Sequence, residues 1–254
     1  MKKPRVVTVV GYKDSGKTRV VEALVRELTG RGYRVGTLKH TAEEVPLDTP
    51  GKDTWRHREA GSVASAILHG GSAAFFIDGY TSVNEAVERL GAVDFVIVEG
   101  FKTLGTVARI PVPRNADEVS ELTNGLEIAV ADLTDERIHA QSEATVIPLD
   151  KVSMMADLVE EKAFPMLPGL DCHGCGYEDC RSLARAVLAG EVGAEACAAF
   201  DPGFSLRVDG VNVPLGPFVK DLTRNTVLGL VRSFKGVGDP RRVELSFEVG
   251  EEHG

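Results

Sequence analysis

Apolar positions follow two different periods along the N-terminal part of the chain. Arg5–Val10 and Asp94–Val98 are almost continuously apolar, as in strands buried on both faces of a parallel sheet. Thr18–Leu28 instead repeats apolar residues every three or four positions, the period of an amphipathic helix. Further strands are predicted at Tyr33–Leu38, Ala73–Ile77, Val107–Val112, Glu127–Ala131 and Thr145–Ile147, with helices at Ser82–Leu90 and Lys151–Lys162. This alternation predicts an α/β fold, a mostly parallel sheet with helices on both faces.

The pattern changes near residue 165, which predicts a second, smaller unit. Phe164–Gly169 contains two prolines and a glycine and indicates a linker, so we expect one domain over residues 1–165 and another over 166–254. The predicted elements of this α+β unit are a helix at Cys180–Leu188, a hairpin of Phe204–Val208 and Val211–Leu215 around Asp209-Gly210, a helix at Pro217–Phe234 and a half-buried strand carrying Val243, Leu245, Phe247 and Val249.

Composition narrows the class of protein. The 254 residues are 43% hydrophobic and 26% charged, the balance of an ordinary globular protein. A net charge of −9 argues against a protein that wraps nucleic acid or binds an anionic membrane by general electrostatics. No apolar run approaches the roughly 18 residues that span a bilayer. The apolar stretch after Arg5 runs directly into a glycine loop without a cleavage site, so we expect a cytoplasmic protein.

The glycine loop after the first strand fits the phosphate-loop pattern G-x-x-x-x-G-K-[ST] at every fixed position. Its glycines let backbone N–H groups turn inward at the positive end of the next helix, where phosphate binds. Lys17 would reach the β- and γ-phosphates, and the Thr18 hydroxyl would bind Mg²⁺. The sequence therefore predicts binding of GTP or ATP with magnesium by Gly11, Tyr12, Lys13, Asp14, Ser15, Gly16, Lys17 and Thr18.

Acidic residues offer candidates for the rest of this site. Glu99 ends the apolar strand Asp94–Val98 and could complete the magnesium shell or position water, although a carboxylate there could also only cap a helix. Asp48 and Asp53 lie in a polar loop, where they could complete the magnesium shell or act as a nucleotide-sensing switch. Solvated loop charges are the alternative for both.

Three stretches together resemble the molybdopterin-guanine dinucleotide biosynthesis protein B (MobB) family. They are the GYKDSGKT loop, LKHTAEEVPLDTPGKDTWRHREAGS (Leu38–Ser62) and DFVIVEGFK (Asp94–Lys102). The resemblance spans Val6–Lys162 and implies a dimeric GTP-binding protein with weak GTPase activity. It also implies an accessory role, in which the protein helps a partner nucleotidyltransferase attach a guanine nucleotide to the molybdenum cofactor. Apo-molybdoenzymes are further candidate partners.

The resemblance also assigns roles to residues outside the phosphate loop. It makes Lys17, Glu99 and Asp48 the catalytic residues, with magnesium or switch roles for Asp48, Asp53 and Glu99, and it places His40 and Lys102 nearby. The chain departs from the family at Ala42-Glu43-Glu44, where many members carry histidines. It also lacks an N-K-x-D motif, so the preference for guanine rests on the resemblance.

The four cysteines form one C-x2-C-x4-C-x16-C series: Cys172, Cys175, Cys180 and Cys197. Such clustering in a reducing compartment points to a metal or cluster site instead of disulfides. Four thiolates are what a [4Fe–4S] cluster needs, and the stretch resembles the four-cysteine [4Fe–4S] domain of some electron-transfer and corrinoid proteins. Zinc is the main alternative, although its structural sites usually pair two short knuckles, and free thiols are the third.

Three functional hypotheses follow. The first is a MobB-like GTPase with an added iron–sulfur domain that serves molybdenum or tungsten cofactor maturation. The second is a nucleotide-gated metallochaperone or electron carrier, in which the cluster is delivered or reduced. The third is a purely structural cluster that stabilises a partner-binding domain. No residue set outside the phosphate site predicts a nucleotidyltransferase or redox active site of the chain's own.

Overall fold

The structure is a computed structural model that describes residues 3–43, 45–79, 82–134, 144–201, 203–209 and 211–248, with Val211 described by its backbone only. Along the chain its helices and strands are β1 (Arg5–Val10), α1 (Lys17–Gly30), β2 (Val35–Lys39), α2 (Asp53–Glu59), β3 (Ala64–His69), β4 (Ser72–Ile77), α3 (Val83–Arg89), β5 (Phe95–Glu99), β6 (Ala108–Pro111), α4 (Asp117–Leu122), β7 (Val130–Asp132), β8 (Val146–Pro148), α5 (Val152–Lys162), β9 (Phe164–Pro165), α6 (Cys180–Leu188), β10 (Leu206–Val208), β11 (Val211–Val213) and α7 (Pro217–Arg232).

The central sheet is mostly parallel, as the sequence predicts. Its strand order is β2-β5-β1-β6, with all three pairings parallel, and β9 adds an antiparallel pairing to the start of β1. Side chains alternate along each strand, so both faces of the sheet carry apolar residues, and helices pack against both faces. Val7 and Ile97 pack with α1 and α5 on one face, and Val6 and Val96 pack near Val87 of α3 on the other. No helix in the described ranges is long and apolar enough to cross a membrane.

The predicted strand at Ala73–Ile77 forms, but it lies outside the central sheet. It is part of β4, which pairs antiparallel with β3 from Ala64↔Ile77 to His69↔Ser72. Gly70 and Gly71 connect the two strands with positive φ angles of 55° and 85°, which a two-residue hairpin turn of this kind requires. The sequence pattern did not predict β3, because β3 is stabilised by its pairing with β4.

The predicted linker at Phe164–Gly169 is built into the core at its start. Phe164 and Pro165 pair with β1, and the side chains of Phe164 and Leu167 are buried in the same cluster as Leu24 of α1. Leu183 of α6 belongs to this cluster too, so the cysteine-containing unit packs directly on the first. The proposed division at residue 165 stays a prediction.

The second unit agrees with the sequence in its helices and hairpin but not at its end. α6 has its predicted bounds, and β10 pairs antiparallel with β11 as expected. The predicted last strand is wrong over the described residues 243–248, which form no strand and leave Leu245 and Phe247 62% and 74% exposed. Alternation alone does not supply a neighbouring strand edge to bond with. Val249 of that prediction lies outside the described residues.

Candidate nucleotide site and cysteine lobe

The phosphate loop connects β1 to α1 at the carboxyl edge of the central sheet. Its two glycines are required by close packing. A Cβ added at Gly11 would lie 2.6 Å from the carbonyl oxygen of Val112, and one at Gly16 would lie 2.5 Å from Cδ2 of Leu133. Gly16 also has a φ of 87°, in the left-handed region that favours glycine. The loop geometry therefore depends on both residues.

Two polar groups of the loop lack the partners that phosphate would provide. The Ser15 hydroxyl is buried and has no hydrogen-bond partner among the described residues. Lys17 donates through Nζ to the carbonyl oxygen of Tyr12 at 2.5 Å. Burial lowers the pKa of Lys17, Glu99 opposes this, and the positive charges of Lys102 and Lys39 add to the lowering. An anion in the loop would compensate both groups, so the residues present fit a phosphate.

Thr18 and Glu99, the predicted magnesium residues, are in direct contact. The Thr18 hydroxyl donates to Oε1 of Glu99 at 2.9 Å, and Glu99 is only 9% exposed. Strand register explains the meeting, because Glu99 pairs with Val9 of β1 on one side and with Lys39 of β2 on the other. Hydroxyl and carboxylate oxygens are ligands that suit Mg²⁺.

Lys39 is a site residue that the sequence analysis missed. Its Nζ lies 3.3 Å from Oε1 of Glu99, which makes an ion pair with the same oxygen that Thr18 contacts. The sequence pattern indicates that Lys39 ends a strand. It does not reveal that this strand runs parallel to β5 with Lys39 opposite Glu99.

The turn after Glu99 carries Lys102 to the site and contacts His40, which follows β2. A Cβ on Gly100 would lie 2.8 Å from the His40 carbonyl oxygen, and the ring of His40 lies 4.1 Å from that of Phe101. Nζ of Lys102 lies 3.2 Å from the centre of the Tyr12 ring, a cation–π contact with the phosphate loop.

Arg109 holds this turn in place and was also missed. It is 3% exposed, and its guanidinium donates to the carbonyl oxygens of Lys102 at 2.6 Å, Leu104 at 2.9 Å and Leu122 at 2.9 Å. Burial lowers the pKa of Arg109, while the charge of Glu127 opposes the shift. The sequence does offer a signal for Arg109, because it is the one charged residue in the otherwise apolar predicted strand Val107–Val112.

Asp48 and Asp53 are not gathered with Glu99 into a metal site. Oδ1 of Asp48 accepts from the backbone N–H of Thr49 at 2.7 Å, whereas its Oδ2 is buried without a partner among the described residues. Asp53 is exposed at the start of α2. No group of three or more His, Cys, Asp or Glu side chains that could hold a metal ion occurs in the described ranges. The magnesium and switch roles of Asp48 and Asp53 stay predictions.

The four cysteines lie in one lobe as free thiols. Cys180 and Cys197 are buried, and Cys172 and Cys175 are half-buried. Burial raises the pKa of Cys197, a backbone hydrogen bond from Ala199 opposes this, and the charges of Cys175 and Cys172 add to the increase. Sγ of Cys180 accepts from the backbone N–H of Asp171 at 3.4 Å.

Four thiols in one lobe are donors that suit iron or zinc. Among the described residues, no three of these cysteines form a group that could hold a single metal ion. One zinc ion would need all its sulfurs about 2.3 Å from a common centre. A [4Fe–4S] cluster instead gives each cysteine its own iron, so its ligands lie further apart.

The cysteine lobe contacts the turn that carries Lys102. The Arg181 guanidinium, next to Cys180, lies 2.9 Å from where a Cβ of Gly105 would be. One turn further along α6, Arg185 donates to the carbonyl oxygen of Asn124 at 2.9 Å. Both arginines therefore dock α6 on loops of the first unit.

Comparison with known proteins identifies the family. Residues 6–133 match the family model MobB, described as molybdopterin guanine dinucleotide synthesis protein B. A Methanocaldococcus jannaschii protein named "Putative molybdopterin-guanine dinucleotide biosynthesis adapter protein" is 30% identical over 248 residues, covering 97% of this chain and 99% of that protein. The chain belongs to the MobB family.

Further matches cover the parts of this MobB-family chain separately. Residues 167–199, which contain all four cysteines, match the family model FeS, described as "Putative Fe-S cluster". A Haemophilus influenzae molybdopterin-guanine dinucleotide biosynthesis adapter protein is 30% identical over 162 residues, 60% of this chain and 85% of that protein. The crystal structure of Bacillus subtilis MobB has the same fold, with a TM-score of 0.54 at 23% identity over 63% of this chain and 98% of that one.

Proposed function

We propose that this protein is a GTP-binding accessory protein with weak GTPase activity in the biosynthesis of molybdopterin guanine dinucleotide, and that it carries an iron–sulfur cluster. The observation that carries the proposal is the contact between Thr18 and Glu99 beside an intact phosphate loop, in a chain whose relatives are named adapter proteins of this biosynthesis. Its role is to assist a partner nucleotidyltransferase that serves molybdenum or tungsten cofactors.

The site residues divide the work of binding and hydrolysis. The phosphates replace the Tyr12 carbonyl as the partner of Lys17 and give the Ser15 hydroxyl an acceptor. Thr18 and Glu99 would hold Mg²⁺, which would neutralise charge on the β- and γ-phosphates. Glu99 is rigid because it is buried and paired on both sides, which suits a residue that orients a ligand or water.

We propose that the cysteine lobe holds a [4Fe–4S] cluster on Cys172, Cys175, Cys180 and Cys197. The spacing of the thiols, their freedom from disulfides and the match of residues 167–199 to the family model described as "Putative Fe-S cluster" support this assignment. A homodimer is also proposed, with the β3–β4 hairpin as its contact. Leu68 and Phe75 of this hairpin are 75% and 66% exposed, an apolar surface typical of an interface.

Isothermal titration calorimetry with Mg²⁺ and either GTP or ATP tests the nucleotide part of the proposal. We expect saturable binding of GTP that is tighter than binding of ATP. Tighter binding of ATP, or no binding of either nucleotide, would contradict the proposed role. The partner is tested by co-purification of the full-length protein with the nucleotidyltransferase of the same organism, where a stable complex is expected and no retention of that enzyme would contradict the proposed partner.

A second function is favoured by the half-buried state of Cys172 and Cys175, because it leaves one side of a cluster accessible to an acceptor. In this function the protein is a nucleotide-gated metallochaperone or electron carrier. Transfer of ⁵⁵Fe-labelled cluster to an apo-acceptor, with and without GTP, separates the two. Transfer that depends on nucleotide supports the second function, and a cluster that never leaves the chain supports the first.

A further inference from the structure

A cleft of about 950 Å³ lies between the two units, at the opposite end of β1 from the phosphate loop. Small-molecule sites in proteins have volumes of about 300–1,000 Å³. One side of the cleft is formed by Lys3, Arg5 and the end of α5, and the other by the end of α6 and the 3₁₀ turns on either side of Cys197. The cleft is thus separate from the nucleotide site and adjacent to the cysteine lobe.

The first-unit side of the cleft is cationic. Lys3 and Lys162 line it and make no ion pair with any acid among the described residues. Nζ of Lys3 instead makes a cation–π contact, 3.9 Å from the centre of the Phe200 ring. The Arg5 guanidinium is committed elsewhere, since it donates to the Glu160 carbonyl oxygen and stacks on a core ring. Two lysines therefore line the cleft without an ion-pair partner among the described residues, and the charges of Glu88 and Cys197 act on Lys3 from beyond ion-pair distance.

The acids that line the cleft do not cancel these charges locally. Asp201 is already paired with Arg224 at 2.9 Å and with Lys220 at 3.7 Å on the far wall. Glu161 and Glu195 are the other carboxylates of the lining, and both are exposed to solvent. Lysines that face a cleft in this way are typical of a site for an anionic group such as phosphate.

The second-unit side offers flat apolar surfaces and one amide. Phe200 and Phe204 line it, and both are partly exposed. A planar ring stacks on such side chains. Asn212 of the hairpin also lines the cleft, and its amide can both donate to and accept from the edge of a heterocycle.

We propose that this cleft binds a phosphorylated planar heterocycle. The Lys3 ammonium, which lies over the Phe200 ring in the structure, would move to the phosphate beside Lys162, and the heterocycle would take its place against Phe200. The inference rests on the proposed function in one respect, that the heterocycle is the pterin of the cofactor being matured. It uses none of the nucleotide-site residues. The position beside Cys197 means that the bound ring lies next to the cysteine lobe.

Neopterin monophosphate, which is fluorescent, is a suitable probe for the full-length protein. We expect saturable binding by fluorescence anisotropy, and affinity about tenfold lower for the Lys3→Ala/Lys162→Ala variant, as for loss of charged hydrogen bonds. Lys151→Ala, an exposed lysine outside the cleft, is the matched control and should bind normally. Neopterin without phosphate should bind more weakly, and inorganic phosphate should displace the probe only when it is present in large excess.

A second pair of measurements distinguishes binding in the cleft from binding at the nucleotide site. Lys17→Ala should leave binding of the probe unchanged, whereas Lys3→Ala/Lys162→Ala should leave binding of GTP unchanged. Phe200→Leu, which keeps the bulk but removes the aromatic face, should weaken the probe and give a normal circular dichroism spectrum. No saturable binding, equal affinity in the folded double lysine variant, or tighter binding of GMP than of the pterin would overturn the inference.

Discussion

The Thr18 hydroxyl donates a 2.9 Å hydrogen bond to Glu99, which joins the first turn of α1 to the carboxyl end of β5. The two residues are 81 positions apart in the chain. They meet because β1 and β5 are neighbours in register, and the phosphate loop returns α1 to the same edge. Lys39, the last residue of β2, forms an ion pair with Glu99 from the neighbouring strand. This arrangement makes the site testable one residue at a time.

Lys17→Ala should weaken GTP binding about 10- to 100-fold, because it removes the only ammonium within the phosphate-loop motif that faces the β- and γ-phosphates. Calorimetry measures the loss directly. Lys151→Ala is the control, since Lys151 is exposed and lies outside the phosphate loop. Unchanged affinity in the Lys17 variant would contradict the assignment of the phosphate loop.

Glu99→Gln should slow GTP hydrolysis more than it weakens binding, because the carboxylate charge acts on magnesium and water in the transition state. Phosphate release and affinity are measured in parallel. Glu22→Gln, on the exposed side of α1, is the matched control. Equal rates for Glu99→Gln and the native protein would assign Glu99 a structural role only.

Arg109→Met should destabilise the protein by about 2–3 kcal/mol, because three carbonyl oxygens lose their shared donor in a buried site. For a chain of this size the melting temperature should fall by about 5–10 °C. Arg19→Met, on the surface of α1, should change it little. A similar melting temperature for both variants would show that Arg109 is not the organising residue of the turn.

Cys197→Ser should lose or destabilise the iron–sulfur cluster, although Cys197 lies far along the chain from the other three cysteines. Native protein purified anaerobically should be brown and contain about four irons and four sulfides per chain. His173→Ala should retain the cluster, because four thiolates suffice. Stoichiometric zinc without iron, in protein produced with iron supplied, is the result that excludes the cluster.

Leu68→Glu should convert the proposed dimer to a monomer, because it places a charge in the exposed apolar face of the β3–β4 hairpin. Light scattering after size exclusion measures the mass. Val208→Glu makes the same kind of change in the other hairpin, where Val208 is 52% exposed, and should leave the mass unchanged. A dimer that survives Leu68→Glu would exclude this hairpin as the contact.

Local chemistry determined much of this protein from sequence. The phosphate loop, the helix at Cys180–Leu188 and the hairpin around Asp209 form at the predicted positions. Ser82 caps α3 and accepts from the backbone N–H of Glu85, as its capping box predicts. Each of these features depends on residues close together in the chain, so the sequence pattern contains the whole cause.

Tertiary structure alone decided the pairings between distant residues. Nothing local in Ala73–Ile77 reveals that it bonds to β3 instead of the central sheet. Nor does the proline-rich Phe164–Gly169 segment reveal that its first residues bond to β1. Lys39 meets Glu99 only through the register of two parallel strands, and Arg109 finds its three carbonyl partners only when separate loops close around it. The last predicted strand did not form over residues 243–248, because alternation sets a face and not a hydrogen-bonding partner.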